Sequence, residues 1–270
     1  MPDEPAETMP DQTPDDGHAQ GQGGPIAEAG TPSMEDRPDG PVFLVPGWLM
    51  LFGALLLAIH ALRTLGLPLT LDDQLVATFA FVPSRLAMFL LGGDMIWPLT
   101  MLTYSLLHGG WEHVIFNCLW MIVFGTPVAI RLGMRRGLAF MSLASVASAL
   151  GFLVLNMDQT VIVVGASGIV SGLTGASCRF AFGSGLSADR SRSVASLPQL
   201  SVGAALSNRS VLMFILFWFA ANVLLAVFSP QLDPASTPIA WEAHAAGFLF
   251  GFFAFPLFDP MPKGTDHQEA

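Results

Sequence analysis

The stretch Val161 to Ser177, VIVVGASGIVSGLTGAS, decides how the rest of the chain is understood. It is apolar enough for a lipid bilayer, yet near its start it presents Gly165-Ala166-Ser167-Gly168. A hydroxyl between glycines has two uses. It lets another helix pack closely, as in the small-xxx-small pattern that Ser167, Ser171 and Gly175 and then Gly168, Gly172 and Ala176 repeat at intervals of four. Alternatively, it exposes an oxygen that reacts. The surroundings must choose between these.

Those surroundings are membrane-like. Of 270 residues, 52% are hydrophobic and only 12% charged, about half the charge of an ordinary soluble domain, and the mean hydropathy is +0.57. Windows free of Asp, Glu, Lys and Arg fall at roughly 41–62, 110–130, 137–157, 161–180, 210–231 and 239–258, the second and last each keeping one Glu near the start. About twenty residues cross a hydrocarbon core, so the expected fold is all-α, a polytopic six-helix bundle over 41–258. Residues 95–111 are also uncharged, but Pro98 and Gly109-Gly110 interrupt them and no turn separates them from the next span. They are therefore expected in a long, partly embedded loop, 72–109.

Charge supports six crossings. One side receives Arg37, Arg131, Arg135, Arg136, Arg179, Arg190, Arg192, Arg209 and Lys263, and the other only Arg63 and Arg85. By the positive-inside bias, both termini and the Ser-rich connector 181–209 are expected in the cytoplasm. Residues 1–40 hold ten of the 21 carboxylates and almost no large apolar groups, so they are expected to be a disordered acidic tail. Residues 259–270 form a short second tail. The net charge of −10 excludes nucleic acid as a natural partner. The N-terminus carries neither a basic n-region nor an Arg-rich amphipathic pattern, so no cleaved leader is expected and a bacterial inner membrane suits the chain. Cys118 and Cys178 sit alone in apolar segments as small core residues, and no metal or cofactor is expected.

Polar groups inside spans are costly and therefore informative. Ser167 lies near the outer end of the fourth span and His244 a few residues into the sixth from the same side. His113 and Asn117 are four apart on one face of the second span's outer part. Singly, each has a structural use, as packing hydroxyl, buried histidine or interhelical glue. Together, at one depth, they supply a nucleophile, a base and two hydrogen-bond donors. Gly168, Gly172 and Gly175 facing Gly247 and Gly251 would let the helices approach, so that Ser167 reaches His244 and its own backbone N–H joins His113 and Asn117 at an oxyanion. Glu242, two residues from His244, would face away on a helix, which makes this a Ser–His dyad without a carboxylate.

The segments LLHGGWEHVIFN (106–117), GASG (165–168) and WEAHAAGFLFG (241–251) resemble, in order and spacing, three motif regions of the rhomboid family of intramembrane serine proteases. The resemblance implies Ser167 as nucleophile, His244 as base, His113 and Asn117 as oxyanion contributors, and structural roles for His108, Gly109, Gly165, Gly168 and Gly247. It also implies single-pass transmembrane substrates cut in or near the membrane. Lateral entry would run past Phe217-Trp218-Phe219, with 229–238 as a cap. Two departures stand out. Many relatives have Trp-Arg where this chain has Trp97-Pro98, and the aromatic often found four residues after the serine is here Ser171. The competing expectations are a rhomboid-like chaperone that binds transmembrane helices without cutting them, and a small transporter relaying protons through His113 and His244.

Overall fold

The computed structural model describes residues 45–182, 197–232 and 239–260. The chain divides into Met1–Phe43 and Leu44–Ala270; the acidic tail, Arg37, Arg190, Arg192, Lys263 and most of the connector and cap loops lie outside the described residues. Ten α-helices, all in the second unit, carry the described fold: α1 Gly47–Ala61, α2 Leu69–Phe79, α3 Arg85–Leu90, α4 Trp97–Thr103, α5 Trp111–Trp120, α6 Thr126–Leu155, α7 Ser167–Ser177, α8 Val202–Ser207, α9 Arg209–Leu232 and α10 Trp241–Ala254. No strand is present among the described residues, only an isolated bridge between Phe81 and Val163.

Three helical runs are long and apolar enough to cross a membrane: Gly47–Gly66, Trp111–Leu155 and Arg209–Phe228. The sequence predicted six, and the difference has three sources. One is that α10, at 14 residues, is shorter than the span expected over 239–258. Another is that Trp111–Leu155 is a hairpin. A π turn at Met121–Gly125 joins α5 to α6, and Gly133, with φ 69° and ψ 174°, breaks α6. Contacts with α1 give the path. His60 packs edge-on against Trp111 with ring centroids 4.7 Å apart, Cys118 Sγ lies 3.7 Å from Gly53 O, and Leu49 meets Gly125. The chain thus runs antiparallel to α1 as far as Gly125. Trp48, beside Leu49, then meets Gly137, and Ser148 returns to the level of Tyr104 and Gly168. A positive φ is the glycine-favoured conformation that such a reversal uses.

The third source is α7. The sequence predicted a span over 161–180, but the helix begins only at Ser167 and covers eleven residues, about 16 Å at 1.5 Å per residue. Every residue from Gly168 to Ser177 is buried. A helix sheathed by protein has no lipid to match, so it need not reach bilayer length. The residues before it are extended, and their backbone groups find protein partners. Val163 exchanges two hydrogen bonds with Phe81 at 3.1 and 2.9 Å, Gly165 N–H donates to Tyr104 O at 3.0 Å, and Ala166 N–H donates to His108 Nε2 at 3.3 Å.

Helices α7 and α10 run parallel and touch through their backbones. A Cβ on Gly251 would land on Gly172 O, one on Gly247 on Gly168 O, and one on Gly175 would lie 2.9 Å from Phe252 N. Helix α9 lies along α10 through Val211, Phe214, Ile215, Trp218 and Phe219 against Phe248 and Phe252, and continues to Leu232, so the start of the expected cap is helical.

The segment between α1 and α5, expected as the loop 72–109, holds α2, α3, α4 and a 3₁₀ turn at Tyr104–Leu106, starting at Leu69. Arg63 clamps it by pairing with Asp72 at 2.6 Å and donating to His108 O at 3.1 Å. Arg85 forms a two-pronged pair with Asp94 at 2.6 and 3.1 Å. Trp97 is buried and donates from Nε1 to Val82 O at 2.9 Å, so in this chain the tryptophan of the Trp97-Pro98 pair anchors the segment without a neighbouring arginine. At the opposite end of the bundle, Arg131 pairs with Asp259 at 2.9 and 2.6 Å, both side chains being 1% exposed. Arg179 donates to the carbonyls of Phe252 and Leu200. Four of the cations counted for sidedness, Arg63, Arg85, Arg131 and Arg179, are therefore also structural fasteners.

Two outcomes are expected. Gly251→Ala forces α7 and α10 apart and costs about 1–3 kcal/mol or more, read as a lowered Tm in detergent, whereas Gly47→Ala, with nothing within 4 Å of the new methyl, leaves Tm unchanged or slightly raised. The second concerns acid. Hydrogen bonds from Arg85 hold the Asp94 carboxyl below its ordinary value of 3.8. The pair's stabilisation is therefore complete above that value and is lost as pH falls through the lowered one. The protection factors of the amides across 85–97 should fall in that acid window in the wild type, and should already be low at neutral pH in Asp94→Asn.

Candidate active site

The site forms where the N-terminus of α7 meets the first turn of α10, roofed by the turn before α5 and flanked by α9. Ser167 is the first residue of α7. Its predecessor Ala166 provides no side-chain cap, so the N–H groups that a helix leaves without intrahelical partners face the end where Ser167 stands. Those groups and the helix dipole favour negative charge there.

Ser167 Oγ lies 2.8 Å from His244 Nε2. The two residues are 77 apart in sequence, and the glycine contact between α7 and α10 brings them together. Gly168 and Gly247 lie one and three residues beyond them, both pressed against Ser148 Oγ. A side chain at either would collide with that hydroxyl of α6, and one at Gly247 would also meet Gly168 O and push α10 away from α7.

The other ring nitrogen of His244, Nδ1, lies 2.6 Å from Asn222 Oδ1. Asn222 Nδ2 in turn donates to Trp218 O, one turn earlier on α9, at 2.8 Å. Glu242 is not among the hydrogen-bond partners of His244. Ser171 donates its Oγ proton to Ser167 O at 2.7 Å, a bond within its own helix, so its hydroxyl leaves the histidine ring alone.

His113 and Asn117 stand on α5 facing the backbone just before Ser167. Gly165 adopts φ +123°, and a Cβ there would lie 2.7 Å from His113 Nε2 and 3.7 Å from Asn117 Nδ2. Glycine is thus required twice over, by conformation and by space. Asn117 is buried, and its Nδ2 has no hydrogen-bond partner among the described residues. Buried donors are nearly always paired, so an unpaired amide beside a serine is available to a ligand. His108 is buried, its ring meeting that of His113 edge-on with centroids 5.1 Å apart. By accepting from Ala166 N–H it secures the residue that precedes Ser167.

Among the described residues, no three His, Cys, Asp or Glu side chains are grouped to hold a metal ion. Cys118 and Cys178 are both free thiols. Of the aromatic run expected at an entry path, Trp218 stacks on Phe248 with centroids 4.8 Å apart, Phe219 meets the same ring edge-on at 5.3 Å, and Phe217 is 72% exposed.

The geometry thus assembles Ser167, His244, His113, Asn117, Gly165, Gly168, His108 and Gly247 at one end of the bundle. It adds one residue that the sequence did not single out. Asn222 lies in a window noted only for lacking charge, and a count of charges passes over an amide. Its own signal was being a lone polar group in an apolar span, which is expensive unless used.

No curated protein matches the chain. Among protein families, the Rhomboid domain matches residues 94–259, more than half of the chain and all of the residues gathered at this site. From that match, together with the apolar helices, we conclude that this integral membrane protein belongs to the rhomboid family, whose members are generally intramembrane serine proteases, some of them inactive.

Proposed function

We propose that the protein is an active intramembrane serine endopeptidase that cleaves single-pass transmembrane proteins in or near their membrane segment. The observation that carries this reading is the 2.8 Å approach of Ser167 Oγ to His244 Nε2 in front of the α7 N-terminus. A hydroxyl is a poor nucleophile until a base takes its proton, and a nucleophile and base within hydrogen-bond reach are the geometric requirement for that step.

In the reaction, Ser167 Oγ attacks the scissile carbonyl carbon while its proton passes to His244 Nε2. The carbonyl oxygen becomes an oxyanion, to which Asn117 Nδ2, His113 and the Ser167 backbone N–H donate, with the positive end of the α7 dipole behind them. His244 then returns the proton to the departing amine, leaving an acyl group on Ser167. Water, deprotonated by the same histidine, hydrolyses that ester. The unpaired, buried Asn117 Nδ2 supports this assignment, since an oxyanion gives it the partner it lacks. No metal or cofactor takes part.

We place the six expected segments in a bacterial inner membrane with both termini cytoplasmic. The site then lies toward the outer face, and Arg63 and Arg85 lie on that side. Substrate would enter beside α9, whose span is only 6% buried within the protein.

Ser167→Ala should abolish both cleavage of a transmembrane substrate and covalent labelling by a fluorophosphonate in detergent, with Tm unchanged. Full cleavage by that variant would overturn the proposal. Asn117→Ala should retain labelling but lower kcat by about 10²–10³-fold, the usual consequence of losing one oxyanion donor. A folded wild type that binds transmembrane helices yet neither labels nor cleaves would identify the catalytically silent, chaperone-like alternative.

A further inference from the structure

Asn222 occupies a position that the dyad chemistry does not require but the hydrogen bonds make specific. We propose that it is a positioning residue for the reaction proposed above, fixing His244 in the tautomer whose Nε2 is free to accept the serine proton. The inference rests on that reading for its catalytic meaning, though its structural content stands apart from it.

An Asn side chain has one accepting and one donating end, and which end faces which neighbour follows from the network. Here the network is unambiguous. One end meets Trp218 O, a carbonyl that can only accept, so that end is the Nδ2 donor. The end 2.6 Å from His244 is then Oδ1, which can only accept. Facing an acceptor, His244 Nδ1 must carry the proton. A neutral imidazole has one N–H, so Nε2 is left with its lone pair aimed at Ser167 Oγ, 2.8 Å away. Were the amide reversed, two oxygens would meet at Trp218, and Nδ2 would force Nδ1 to become the acceptor. Nε2 would then bear the proton and could not act as a base.

The chain of bonds therefore runs from a main-chain carbonyl on α9, through Asn222 and His244, to the hydroxyl at the head of α7. Each link leaves only one polarity for the next. When the base takes up the serine proton, the charge formed on the ring sits against Asn222 Oδ1, a neutral acceptor in the place where other serine hydrolases put a carboxylate. Such an acceptor orients the ring without placing a second charge in an apolar setting.

The location adds a consequence. Helix α9 is seated on α10 by Trp218 stacking on Phe248 and Phe219 meeting the same ring edge-on, while Leu224, Leu225, Val227 and Phe228 beyond Asn222 are half exposed or more. The acceptor for Nδ1 thus rides on the helix beside which substrate would enter. His244 is held in its working tautomer when α9 is against α10, and loses its Nδ1 partner when that stretch of α9 moves away.

The test uses the full chain purified in detergent, with fluorophosphonate labelling, cleavage of a transmembrane substrate, and ¹⁵N NMR of histidine-labelled protein. Asn222→Leu keeps the volume and removes the acceptor. It should lower kcat and the labelling rate by roughly 10²–10⁴-fold, the range expected when general-base action is lost, with KM little changed and the His244 Nδ1–H signal weakened or exchanged for the Nε2–H form. Asn222→Asp, which restores an oxygen acceptor, should recover most of the rate and the Nδ1–H signal. Asn222→Leu labelling at the wild-type rate with an unchanged tautomer would overturn the proposal, as would equal losses in Leu and Asp variants accompanied by a common fall in Tm. If wild type is folded but never labels, the protease reading fails while the NMR arm still decides whether Asn222 sets the tautomer.

Discussion

The backbone-to-backbone contact of α7 and α10 is the constraint on which the rest depends. Gly172 against Gly251, Gly168 against Gly247 and Gly175 against Phe252 bring the helices closer than any side chain would allow. In a bilayer, apolar side chains gain little by leaving lipid for protein, so helices associate through close packing and polar contacts. Glycine faces supply the closeness. They also set the offset between the helices, and the offset decides which residues of their first turns stand side by side. Ser167 and His244 do, and their polar bond stands at the head of an otherwise apolar seam.

Around that seam the protein arranges its polar groups in two layers separated by an apolar core. At one end, the paired side chains of Arg131 and Asp259 are buried and Arg179 ties the end of α7 to the carbonyls of Leu200 and Phe252. A buried ion pair contributes little net stability but is costly to break, so it specifies a register more than it strengthens one. At the other end, Arg63, Asp72 and His108 lock the segment between α1 and α5 over the bundle, and His108 passes the constraint to Ala166, next to the proposed nucleophile. Between the layers, the shortness of α7 is permitted by its burial. Its start, at the end of the bundle where His113, Asn117 and His244 gather, also places the open N–H groups of a helix where a reaction would use them.

Much of this could be read from the chain itself. Hydropathy and the scarcity of charge indicate a helical membrane protein, and the polar residues Ser167, His244, His113 and Asn117 stand out because few others interrupt the apolar windows. Other features could not be read. The helix boundary at Ser167 is set by hydrogen bonds from Val163, Gly165 and Ala166 to residues 58 to 82 positions earlier. The local composition of 161–180 is equally suited to helix throughout. Gly133 was one of many glycines until its positive φ marked the reversal within Trp111–Leu155. Trp97 could be seen to lack its arginine neighbour, but not to have Val82 O as a partner.

Composition and order alone therefore determined the class of the protein, an apolar helical bundle with a rhomboid-like set of motifs, because burial in lipid leaves its mark on every residue of a span. They also determined which side chains were worth watching, since a polar group in an apolar window carries its cost wherever it folds. Only the tertiary structure decided what those groups do to one another. That Asn222 meets His244 at 2.6 Å, and that the donor to Trp218 O turns its oxygen toward the ring, depends on the rotation and height of α9 against α10. Those are set by Trp218 stacking on Phe248 and Phe219 meeting it edge-on, a contact between elements that no spacing along the chain encodes.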